Sequence, residues 1–222
     1  MNEDNTQKLA KLKKIGKILK AASLIASLVL IPAILIFLFV PVTNLMSDVA
    51  SKYTRGYNYY GWQMTFLGCG YPPFQILCLF EEPGTAAGDY IPDKYDFGFN
   101  IVTTMALFIP FVAMIIAGLV GMKMKNRGKA VCEFAVAAAI IVSVTILLNV
   151  APLSVNVASS MGAGTGFKNT FLEPAIAAGT YKTLAYPIIL FVIGLLIALL
   201  KIARGVFLLY QRNVARKLKN QN

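Results

Sequence analysis

The chain has 222 residues, 57% of them apolar and 14% charged, with a formal net charge of +11 and no histidine. A soluble domain usually carries about 25% charged residues and disorder requires low hydrophobicity, so this composition excludes a disordered chain and argues against a soluble globule. The mean hydropathy is +0.66, and the apolar residues are gathered into four long blocks, the pattern of a multi-pass membrane protein.

Residues 1–20 form a basic cytoplasmic N-terminus with Lys8, Lys11, Lys13, Lys14, Lys17 and Lys20. Leu9, Leu12, Ile15 and Leu19 alternate with these lysines, a spacing that suits an interfacial helix leading into the bilayer. No residue between Lys20 and Asp48 is charged, and Ala21–Val40 is unbroken apolar sequence. A bilayer core about 30 Å thick takes about 20 helical residues, which predicts helix 1 over 21–45. The run exceeds the about 7–15 apolar residues of a secretory signal, and Asp48 occupies the −3 position of the first small-residue site after it. It therefore reads as a retained anchor.

A long extracytoplasmic loop follows at 46–98. It is acidic and aromatic, holding Tyr59, Tyr60, Trp62 and Phe66 together with Cys69 and Cys78, and Trp62 is the chain's single tryptophan. So many aromatics predict a small structured cap on the helix bundle. They read as an interfacial belt with a small core, or as a recognition surface in which Trp62, Tyr59, Tyr60 and Phe66 meet a partner. Cys69 and Cys78 lie on the side of the membrane where disulfides persist. They are read as a bridge, and as a reduced pair in a strictly anaerobic organism.

Helix 2 is expected at 99–122, a cytoplasmic turn at 123–129 and helix 3 at 130–150. The short turn makes helices 2 and 3 antiparallel neighbours, and Gly128 suits the φ > 0 position that ends a helix. Glu133 is expected to pair with Lys129 or Arg127 at the membrane surface. A second extracytoplasmic loop covers 151–182, helix 4 covers 183–204, and a basic cytoplasmic tail covers 205–222. Ala117-x-x-x-Gly121, Ala135-x-x-x-Ala139 and Gly194-x-x-x-Ala198 are patterns that allow close helix approach. Pro32, Pro110 and Pro187 are expected to bend helices or mark their ends.

Of the 21 basic residues, 16 fall in the N-terminal segment, the short turn and the tail. By the positive-inside rule both termini are cytoplasmic, in a cell membrane. The charge is thus an orientation signal, with anionic lipids as further partners of the basic ends and nucleic acid not expected.

Four spans, a long first outer loop, the Gly61-Trp62 pair and Cys69-x8-Cys78 give a plan that resembles the claudin-type tetraspan proteins. That resemblance implies a loop folded as a small sheet and a role in adhesion or pores; here the motif reads Gly61-Trp62-Gln63 with one tryptophan. The chain is more similar to the uncharacterised four-span membrane proteins of Gram-positive bacteria with a Gly- and Phe-rich loop after the first span, a likeness that implies no activity.

The absence of histidine removes the commonest general base and metal ligand, and no P-loop or His-Glu-x-x-His motif is present. No catalytic, cofactor-binding or metal-ligating residue is expected. The fold expected is an all-α, four-transmembrane-helix bundle with an outer loop domain between helices 1 and 2. The function expected is non-enzymatic: an accessory, scaffold or interaction protein that binds a membrane-protein partner, or a second copy of itself. The alternative is a channel or transporter subunit that forms a pore as an oligomer, for which Thr103, Thr104, Ser143, Thr145 and Asn149 supply a thin polar stripe.

Overall fold

The computed structural model describes residues 3–46, 56–65, 100–150 and 181–219. Four of its helices are long and apolar enough to cross a membrane. They are α1 (Glu3–Phe39), α3 (Ile101–Lys123), α4 (Asn126–Leu148) and α5 (Ala185–Lys219). A short α2 (Gly61–Thr65) and three strands, β1 (Pro41–Met46), β2 (Gly56–Tyr60) and β3 (Tyr181–Thr183), complete the order.

Each boundary has a local cause. α1 stops at Phe39 because Pro41 disfavours helical geometry at Val40, and the chain turns directly into β1. Toward its start, α1 runs without a break through the Lys- and Leu-rich segment from Glu3. The segment expected to be an interfacial helix is continuous with the first span, because Lys, Leu and Ala all favour helix and the run contains no proline. Pro187 sits in the first turn of α5, where its missing N–H costs nothing; Pro32 and Pro110 lie inside α1 and α3. Gly128 does not end a helix. It lies in the first turn of α4, and a Cβ there would meet the Met124 side chain at 2.4 Å.

The chain divides into two compact units. One comprises Met1–Leu35, Ala106–Thr145 and Ile189–Asn222 and is helical where described, apart from the turn at Met124 and Lys125. Its buried residues include Leu30, Ile34, Val136, Ile140, Val144 and Ile197. Its α4–α5 seam is set by glycines: a Cβ on Gly194 would approach Val144 to 2.4 Å and one on Gly205 would approach the Phe134 ring to 2.7 Å. The order of these contacts, Phe134 with Gly205 and Val144 with Gly194, makes the two helices antiparallel. Gly118 and Gly121 of α3 are not used in this way, since nothing lies within 4 Å of a Cβ built on either.

The other unit comprises Ile36–Met105 and Ile146–Ile188. It contains a three-stranded antiparallel sheet in the order β2-β1-β3, which an all-α reading does not include. β1 pairs Asn44 with Asn58 of β2 and with Lys182 of β3. Leu184 N–H donates to the Val42 carbonyl at 2.9 Å, tying the start of α5 to β1. Asn100 caps α3 by accepting the Thr103 N–H at 3.1 Å, the expected use of Asn at a helix start.

Candidate functional site

Ionisable groups within membrane-spanning helices are costly and face the protein interior, so they mark the first place to look for function. Here they come from two helices of one unit, α4 and α5, and a serine of a third, α1, joins them. Glu133 lies in the second turn of α4, and Lys201 and Arg204 stand three residues apart on one face of α5. Ser23 belongs to α1. The Glu133 carboxylate meets Arg204 Nη1 at 2.7 Å and Lys201 Nζ at 3.7 Å. Arg204 Nη1 also donates to Ser23 Oγ at 3.3 Å, and Ser27 Oγ donates to the Ser23 carbonyl at 2.8 Å. Ser23 is fully buried and Lys201 is 7% exposed.

The cluster is electrostatically unequal: two cations share one carboxylate. Arg204 has the better half, because a guanidinium presents several donors in a rigid fork and can reach Glu133 and Ser23 together. The Lys201 contact is an ion pair too long for a hydrogen bond, and Glu133 Oε2 is buried with no hydrogen-bond partner. Ion pairs of this kind specify arrangement more than they stabilise. Their effect here is to hold α1, α4 and α5 in one register. Glu133 therefore does not pair with Lys129 or Arg127, as local spacing suggested; its partners lie about seventy residues further along the chain. The legible signal was a single acidic residue in helix 3 beside two basic residues ending an apolar run. The choice of partner is tertiary.

The remaining polar groups of the spans do not gather on one face. Ser143 is buried and donates to the Ala106 carbonyl, while Thr145, two residues on, is exposed and bonds the Ile141 carbonyl of its own helix at 2.8 Å. These two positions lie on opposite faces of α4, so they do not share one polar stripe. The hydroxyls of Thr43 and Thr103 are buried without hydrogen-bond partners.

In the sheet-bearing unit, Gly61 abuts the end of α1. Its N–H donates to the Val40 carbonyl at 3.2 Å, and a Cβ at this position would stand 2.0 Å from the Phe37 carbonyl oxygen. Glycine is required by that approach, and it fixes the residue that follows. Trp62 is 4% exposed, among the buried residues Phe37, Val42 and Met64 of the same unit. Its indole is therefore turned inward within this unit. Tyr60 is half-buried, and Tyr59 lies in β2 opposite Thr43. Phe66, Cys69 and Cys78 lie outside the described residues. Cys132, in α4, is a free, partly buried thiol.

No protein-family profile, curated protein or solved structure matches this chain. Its own geometry is the basis for a functional reading.

Proposed function

We propose that this is a non-enzymatic multi-pass protein of the cell membrane, with both termini cytoplasmic, that acts as an accessory or scaffold subunit for another membrane protein. One observation carries the reading: the most apolar window of each spanning helix has only 17% to 33% of its residues buried inside the chain, α3 least of all. Helices of this kind turn most of their apolar surface outward, toward lipid and toward neighbouring proteins. Meanwhile Ser23, Ser143, Glu133 and Arg204 engage one another or the chain's own backbone, which supports a structural use of the polar groups.

On this reading the cap around Trp62, stiffened by a Cys69–Cys78 bridge, and the outward face of the bundle are the partner-binding regions. The role of Trp62 is to hold the cap together, with Tyr59, Tyr60 and Phe66 beside it in sequence as the contact residues. The test is purification of the tagged full chain from its own membranes in a gentle detergent, followed by mass spectrometry of its companions. A reproducible stoichiometric membrane-protein partner is the expected result. Recovery of self-oligomers alone, with ion or solute flux on reconstitution, overturns it in favour of a pore subunit.

A further inference from the structure

The ends of α1 and α5 that extend beyond the charge cluster pack on each other. Gln211 Nε2 donates to the Leu12 carbonyl at 2.9 Å, and Gly16 lies against Phe207 and Gln211, where a Cβ would meet them at 3.3 and 2.8 Å. The two contacts run in opposite directions along the helices, so the ends are an antiparallel pair.

Their position relative to a bilayer follows from length. The charge-free part of α1, Ala21–Phe39, is about 28 Å long at helical rise, which matches a hydrocarbon core of about 30 Å. Lys20 therefore marks the edge of the core. In α5 the charge-free stretch ends before Lys201, and Arg204 lies about 28 Å from the helix start. The headgroup layer adds about 5–8 Å beyond each edge. Lys17 and Lys14 fall in or just past that layer on α1, and the residues from Arg204 toward Arg212 cross it on α5.

Two kinds of side chain meet at this level. Lys13, Lys14, Lys17 and Lys20 are all exposed. Between them stand outward-facing apolar residues, Ile15 at 46% and Ile18 at 59% exposed, with Val206 and Tyr210 each at 55% on α5. A basic surface alone would fit any polyanion. A basic surface with isoleucine, valine and tyrosine exposed among the lysines fits the boundary between headgroups and acyl chains, where long basic side chains extend outward and apolar ones point into lipid.

We propose that the paired basic ends of α1 and α5 form a collar that binds anionic phospholipid headgroups. The lysine ammonium groups hold the phosphates, Ile18 and Val206 lean back toward the adjoining acyl region, and Ile15 and Tyr210 lie at the headgroup level. The excess cation of the Glu133 cluster adds to the positive field on the same helices.

The test uses the full-length protein in phosphatidylcholine nanodiscs doped with phosphatidylglycerol, with retained lipid counted by native mass spectrometry at low and high salt. Phosphatidylglycerol should be retained in preference to phosphatidylcholine, and the preference should fall as salt screens the contact. The triple variant Lys14→Gln, Lys17→Gln, Lys20→Gln should lose about tenfold or more of that preference, while its melting temperature in pure phosphatidylcholine stays that of the wild type. Arginine at the same three positions should restore it. Equal retention of the two lipids, or a preference that survives the glutamine variant, overturns the proposal. So does displacement of phosphatidylglycerol by an RNA oligonucleotide, which would assign the collar to nucleic acid.

Discussion

A single methyl group tests the join between α1 and α2. At Gly61 it would collide with backbone atoms of Phe37, which cannot swing aside as a side chain can. Gly61→Ala should therefore cost about 3 kcal/mol, read as a lower melting temperature in detergent. Gly118→Ala, on an open face of α3, should be neutral or stabilising by up to about 1 kcal/mol; equal effects at the two positions would refute the close approach. Glu133 makes a second contrast. Its replacement by Gln leaves Arg204 and Lys201 without their counter-charge, a loss of about 3–5 kcal/mol for a buried pair. Adding Arg204→Gln removes one of the stranded cations, so the double variant should melt above the sum of the two single losses. Simple additivity would mean that the pair contributes no coupling.

The pairing of α1 with α5 is a property of whole elements and can be tested by cross-linking. With the native cysteines replaced by serine, Gly16→Cys and Gln211→Cys should be joined in membranes by a short bifunctional thiol reagent, giving a band of altered mobility. A pair displaced along one helix, such as Gly16→Cys with Lys219→Cys, should not be joined. This is also the scale at which the sequence was most readable. The charge-free intervals after Lys20, Asp96, Glu133 and Lys182 each hold the apolar part of one spanning helix, because a charge within hydrocarbon is too costly to be scattered at random. The positions of the strands were not readable from the residues, although the claudin-type resemblance implied a small sheet. Pro41–Met46 adjoins an apolar helix with no alternation to separate them, and Tyr181–Thr183 is too short to carry a pattern. The continuation of α1 to Glu3 was likewise hidden, since alternating Lys and Leu fits a helix lying on the membrane as well as one leaving it. Only the facing residues of α5 distinguish the two, and contacts between positions about 200 apart have no local signature.

For the whole molecule, the imbalance of basic residues predicts that both termini face the cytoplasm. Reporters fused at each end, active only on the extracytoplasmic side, should both be silent, and the same reporter inserted near Gly84 should be active. Opposite signals at the two ends would refute the orientation proposed for both termini. The contacts between α1 and α5 also have a consequence in time. Ser23 and Arg204 are 181 positions apart and Leu12 and Gln211 are 199 apart. At about 5–20 residues per second of synthesis, the first helix waits about 10–40 s for the segment that completes its packing. During that interval Ser23 has no guanidinium, and Gly16 is an open notch in a helix already threaded into the bilayer. Newly made protein is thus held incomplete until α5, in about the final sixth of the chain, is translated, and premature termination before α5 leaves the start of α1 without its partner and open to the quality-control proteases of the membrane.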